Sequence, residues 1–328
     1  MQHLLRRAGS SNWTHTPVGY ISKFGKGSST PRPPHRNLAS TITTVTPKRQ
    51  NFNTSSTMPQ AGLGAAQQLQ QSKQYAALSD HLSSISTALD KVIDHLSEPV
   101  ESCVQSSANS DEVDEHLTTT WKAIIAKAAE TSFKDASSSK LVDVVMQMQI
   151  RPDVKKDGSA FQVENMTLWK DLPTFGWQMR DAWNLVPEER SDQQTKDHWI
   201  NLNAFTASLV AAAEGKSNGK PDFSLYCIWT VRDGLEEDLE MVPEFSIAAA
   251  ATWFVFAAPT IQKFCREQKS FEGKMAKGGF EFRERGWTGF SEERWQVWEE
   301  RLKAAEGRVK DESTKELVQQ ALKAVAEN

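Results

Sequence analysis

Residues 245–258 run Phe-Ser-Ile-Ala-Ala-Ala-Ala-Thr-Trp-Phe-Val-Phe-Ala-Ala, apolar on nearly every side. A segment like this is a helix that other elements must surround. Pro259 kinks it or starts a new helix running to about Glu267. Its fourteen residues fall short of the roughly 18–20 that a bilayer-spanning helix needs. The expectation is a buried core helix and no integral membrane segment.

The remaining pattern supplies helices to surround it. Tyr75, Leu78, Leu82, Ile85, Leu89, Val92 and Leu96 step by three and four and predict one helix closed by Pro99. A dimer seam is disfavoured, because the flanking positions lack complementary charges. Further stripes follow at 113–128, at 141–148 behind Ser137 or Ser138, and at 175–186 with Pro173 in the first turn. Others run over 199–213 and 225–239, the latter ended by Pro243. Ser291 caps a helix carrying Trp295, Trp298, Leu302 and Ala305, and Ser313-Thr-Lys-Glu316 reads as a capping box for the last one. Residues 151–168 and 269–290 read as connections. No period-2 run is sustained. The expected fold is all-α, a single domain of about nine helices over 67–328 with no sheet.

Charge separates off the beginning of the chain. Residues 1–79 hold nine Lys and Arg and no acid, against a net charge of -4 for all 328 residues. Seventeen of the first 57 residues are Ser or Thr, so little apolar surface is left to offset chain entropy. Residues 1–66 are therefore expected to be a disordered tail. Three readings stay open: a mitochondrial transit peptide, an extension ahead of a true start at Met58, or a plain solvated tail. The expected compartment is cytoplasmic, or the mitochondrial matrix if the tail is a transit peptide. The acidic remainder argues against a nucleic-acid partner.

No motif names a reaction. Gly215-Lys216-Ser217 lacks the glycine a phosphate loop needs at Val210 and follows a helix rather than a strand. Asp153, Asp157, Gly158 and Glu164 match a calcium loop, but Lys155 sits where an oxygen ligand belongs. The histidines form no i, i+4 pair. Cys103, Cys227 and Cys265 are too few and too far apart for a Cys-based zinc site or a disulfide framework. No metal, cofactor or catalytic residue is predicted.

Tryptophan and two misplaced polar residues stand out. Ten of the eleven tryptophans lie from Trp121 onward, most on inward stripes. Trp177 falls on the opposite face from Met179 and Trp183, which predicts either a sandwiched helix or an exposed partner contact. Asn203 interrupts the stripe between Trp199 and Thr206. Arg232 interrupts that between Ile228 and Leu235 and needs a carboxylate if buried, with Asp181, Glu236 and Asp238 as candidates. Asn203 and Arg232 read either as a structural polar network or, with Trp183, as the lining of a pocket.

Four segments carry a family resemblance. They are Trp169-Lys-Asp-Leu-Pro173, Trp199-Ile-Asn-Leu-Asn-Ala-Phe205, Ile228-Trp229-Thr-Val-Arg232 and Gly289-Phe-Ser-Glu-Glu-Arg294-Trp295-Gln-Val-Trp298. From about residue 75 to the C-terminus the chain resembles the fungal helical domain-of-unknown-function family catalogued as 3632. That resemblance implies a helical fold and no assigned catalytic residues. The expected function is a soluble, non-catalytic module binding a protein or small-molecule partner. The alternative is an enzyme whose polar pocket lies around Trp183, Asn203 and Arg232.

Overall fold

The structure, a computed structural model, describes residues 60–83, 88–106, 110–216 and 219–327. Residues 1–59 of the expected tail, with the Met58 start, lie outside the described residues, as do Ile85 and Ser217. In chain order come helices α1 (Gln60–Gln70), α2 (Lys73–Ser83), α3 (Leu89–Gln105), α4 (Ser110–Glu130) and α5 (Ser138–Gln149). Strands β1 (Lys155–Lys156), β2 (Ser159–Ala160), β3 (Gln162–Val163) and β4 (Met166–Thr167) follow. Then come α6 (Phe175–Trp183), α7 (Gln193–Ala213), α8 (Ser224–Leu235), α9 (Glu244–Arg266), a 3-10 turn (Phe280–Arg285), α10 (Glu292–Arg308) and α11 (Glu312–Ala326). The fold is all-α.

Helix α9 is the centre. It packs against α7, α8, α10 and α11, and fifteen of its side chains, Phe245 to Cys265, are buried. Among the described residues it is the one helix long and apolar enough to cross a membrane by length and composition, but most of it is inside the fold. Ala257 leaves helical geometry (φ -140°, ψ 16°), the kink that the ring of Pro259 forces. Against α9, Gly234 of α8 makes the closest approach: a Cβ there would sit 2.5 Å from the Ser246 carbonyl.

Several elements depart from the sequence reading. The expected 75–96 helix is two, α2 and α3. Around the break Ser83 turns its hydroxyl onto the carbonyls of Ser79 and Asp80, and Ala88 is extended, which is how serine-rich segments leave a helix. Pro99 does not end α3; Val100 and Val104 beyond it are buried and carry the helix to Gln105. This split and α1, which begins inside the stretch read as tail, make eleven α-helices among the described residues rather than nine.

Ser137 precedes α5 without capping it; its amide instead donates to Asp135 (2.9 Å). Helix α8 ends at Leu235, and Pro243 stands at the N-cap of α9. Helix α11 is capped by Asp311, whose carboxylate accepts from the amide and hydroxyl of Thr314 (2.8 and 2.9 Å). Ser313 lies inside that helix and accepts from Lys134. A carboxylate suits the positive helix end better than a hydroxyl does. Ser291 caps α10 as expected, accepting from the Arg294 amide (3.1 Å).

The 151–168 connection holds two small antiparallel hairpins, β1–β2 and β3–β4. Asp157-Gly158 turns the first with both φ positive, and Glu164-Asn165 turns the second in the same way. Trp169, Leu172 and Thr174 are also left-handed (φ 66°, 49° and 61°), a costly run for such residues. Buried anchors hold it: Trp169 donates to Glu101 (2.9 Å), and Trp121 donates to the Pro173 carbonyl (2.8 Å). Burial of Asp171 opposes its charge, but Lys220 and the Thr167 amide outweigh that and hold its carboxyl below the ordinary value. Pro173 therefore lies within this strained run, which Thr174 ends at the N-cap of α6, rather than in the first turn of that helix, and the run sets the direction in which α6 leaves.

Candidate functional site

Two buried polar centres frame the site. At the end of α8, Glu236 meets Arg294 from the first turn of α10, both fully buried. Arg294 Nε and Nη2 donate to the two oxygens of Glu236 (2.7 and 2.9 Å). Its other donors reach the carbonyls of Ala276, Gly289 and Lys277, so the guanidinium spends all its hydrogens. Glu236 also accepts from Trp298 Nε1 (2.7 Å) and the Gly279 amide (2.8 Å). The rings of Trp287 and Trp298 cover the guanidinium at 5.0 and 5.4 Å. A Cβ on Gly279 would come within 2.6 Å of the Glu236 carbonyl, so only glycine permits this approach. The pair therefore clamps the 267–291 connection onto α8 and α10.

Asn203 of α7 is the second centre. Its Oδ1 accepts from Thr230 Oγ1 (2.8 Å) and Trp253 Nε1 (2.9 Å), and its Nδ2 donates to the Trp199 carbonyl (2.9 Å). One fully buried amide thus ties α7, α8 and α9 together. Around it the rings stack edge to face. Trp183 lies 4.9 Å from Trp199, 4.7 Å from Tyr226 and 6.5 Å from Trp253, and Tyr226 lies 5.0 Å from Trp229. Burial pushes the Tyr226 hydroxyl up to about 12, so it stays protonated.

Between these centres opens a cleft of about 390 Å³, within the range of small-molecule sites. Helix α6 and the residues after it contribute Arg180, Trp183, Asn184 and Val186; α7 contributes Trp199; α8 contributes Trp229, Thr230, Arg232 and Asp233; α9 contributes Ser246. The clamped connection closes the opposite wall with Lys274 and Met275, and Trp229 Nε1 donates to the Met275 carbonyl (2.8 Å). Arg180 lies over the Trp229 ring at 4.3 Å.

Two of the three residues expected to line a pocket, Trp183 and Arg232, thus share one cleft. Asn203 stands behind its floor, bonded to the lining residue Thr230. Of the two readings of Arg232, the buried one does not hold. Its side chain keeps 23% exposure, and its Nε pairs with Asp233 (2.9 Å), not with Asp181, Glu236 or Asp238. Glu236 is saturated by Arg294, Trp298 and the Gly279 amide, which leaves it no lone pair to offer. Trp177 is 55% exposed, which rules out a sandwiched helix, and Val186, expected to face inward, is exposed as well.

A larger hollow of about 980 Å³ opens between the ends of α4, α7, α9 and α11. Its lysines and the carboxylate of Glu244 are engaged in the fold. Glu244 accepts from the amides of Lys310 and Asp311, Lys134 donates to Ser313, and Lys196 donates to the Glu189 carbonyl. The cleft is the better candidate because its cations are less engaged. Among the described residues, no three His, Cys, Asp or Glu side chains come together to hold a metal.

One family model, described as Protein of unknown function (DUF3632), matches residues 121–302. The match contains both polar centres and the whole cleft, and is narrower than the span of the resemblance. No curated protein and no solved structure matches the chain.

Proposed function

We propose that this chain, which belongs to the family Protein of unknown function (DUF3632), is a binding module that takes a small molecule in the cleft between α6, α8 and the 267–291 connection. The observation that carries this reading is the cleft's composition. Three tryptophans form an apolar wall, and three cations stand beside them, Arg232 and Lys274 on elements that the buried centres tie down and Arg180 against the Trp229 ring. Preorganisation of this kind serves binding, because little ordering is left to pay on association.

Support for binding over chemistry comes from the same lining. Thr230, a hydroxyl in the wall, commits its proton to Asn203. Asp233, the one carboxylate, is held by Arg232. A nucleophile needs a base within hydrogen-bond reach; these two groups are each engaged elsewhere, and the remaining hydroxyl of the lining, Ser246, has no hydrogen bond to a base among the described residues.

The test is fragment binding read at the tryptophans. The full chain is labelled with 5-fluorotryptophan, and its fluorine resonances are assigned by single Trp→Phe replacements. A mixed fragment set should move the resonances of Trp183, Trp199 and Trp229 and leave those of Trp121 and Trp298 in place. Fragments that move none of the three cleft residues would remove the cleft from consideration.

A further inference from the structure

We infer that the cleft selects small organic monoanions: molecules with one carboxylate on an apolar body. The inference rests on the cleft being the ligand site and adds the chemistry of what enters it. Its lining carries Arg180, Arg232 and Lys274 against one acid, Asp233, an excess of two positive charges on a chain whose net charge is -4.

The three cations differ from the engaged groups of the larger hollow. Arg180 is spread over the Trp229 ring and makes no ion pair with the described residues. Lys274 makes none either. Arg232 is pinned through Nε by Asp233, which fixes the plane of its guanidinium and leaves its two Nη groups without a hydrogen bond to the described residues. A guanidinium held by its side nitrogen presents its end as a two-pronged donor, the geometry that a carboxylate accepts in bidentate fashion. Holding the fork in place before the ligand arrives removes part of the ordering cost.

The rest of the lining sets the body of the ligand. Trp183, Trp199 and Trp229, with Val186 and Met275, offer apolar surface next to the cations. Val186 and Met275 are half exposed at the rim, so burying them against a ligand adds apolar contact. A free inorganic anion leaves this wall empty. Asp233 offsets one of the three cations and leaves the Nη fork of Arg232 to a single carboxylate, so a carboxylate on an apolar body fits the lining, and inorganic phosphate, which has no such body, does not.

Calorimetric titration of the full chain tests this with phenylacetate, indole-3-acetate and octanoate, each beside its primary amide, and with inorganic phosphate. At least one acid should bind with a Kd on the order of 1 mM or tighter, with its amide about tenfold weaker or more. Arg180→Gln and Arg232→Gln should each weaken that acid about tenfold and leave the amide unchanged. Phosphate should not displace the acid.

Equal binding of acid and amide would overturn the charge selection and leave the cleft as an apolar ligand site. Acid binding that ignores both arginine replacements, or yields to phosphate, would also overturn it. Silence from all six organic probes would end this inference and count against the binding module itself. Should either arginine variant fold poorly, the acid–amide difference in the unaltered chain still decides.

Discussion

Replacing Arg294 with alanine is expected to cost about 3–5 kcal/mol of unfolding free energy, because it strands Glu236 as a buried carboxylate with no cation. The position leaves no easy relaxation. Both side chains are fully buried, and Trp298 and the Gly279 amide already use the remaining capacity of Glu236. The carbonyls of Ala276 and Gly289 lose their donors at the same time. Arg294→Lys should be destabilised less than the alanine variant but well below the wild type, since one ammonium cannot reach Glu236 and the facing carbonyls together. Urea unfolding of the three proteins measures this. A loss below about 1 kcal/mol for the alanine variant, the scale of surface substitutions, would show that the pair does not clamp the fold.

Asn203→Leu is expected to be the second most damaging change. Leucine is close in size, so the effect isolates hydrogen bonding. Trp253 Nε1 and Thr230 Oγ1 both lose their acceptor in a dry environment, at about 1–3 kcal/mol for each orphaned donor. Asn203→Asp adds a pH signature. Protonated, the acid can still accept through one oxygen and donate from the other. Ionised, it is a buried charge with no cation bonded to it, so its folded-state pKa rises above the unfolded value of about 3.9. The stability of that variant should therefore approach the wild type at the lowest pH and fall away as pH rises above about 4. A pH-independent deficit between the two proteins would contradict the assignment.

The helices were legible because burial imposes a period that neighbouring residues share. The all-round apolar segment at 245–258 announced α9, and Asn203 stood out on α7 because a polar residue on an inward stripe has to be bonded. Trp177 was legible as an anomaly by the same geometry. The hairpins were missed although Asp157-Gly158 is a strong two-residue turn signal; with strands of two residues, no alternation can develop beside it. Helix α1 was missed because Gln60–Gln70 carries no continuous apolar stripe.

Arg294 was the consequential miss. It lies one turn before Trp298 on the inward face, yet after Glu292 and Glu293 it reads as part of a solvated, charged first turn. Its partner is 58 residues away, beyond anything periodicity can report. Arg232 looked equally misplaced on its own helix and drew the attention instead. Period tells which residues face inward, and pairing between distant segments decides which of them is buried with a partner. The cleft shares that limit, since its walls come from five separate parts of the chain.

The Arg294–Glu236 pair is a local clamp that holds the 267–291 connection as a wall of the cleft. Hydrogen exchange in the Arg294→Lys variant tests it directly. The amides of Phe271, Gly279 and Phe290 are bonded to Thr288, Glu236 and Lys269 within or beneath that connection (each 2.8 Å), while the Trp121 indole, bonded to Pro173, reports the distant part of the core. Local opening frees the first set alone, and global unfolding frees both together. The clamp predicts that the three amides exchange about tenfold faster or more relative to the Trp121 indole than they do in the wild type. Acceleration of all four protons by one common factor, or of none, would contradict it.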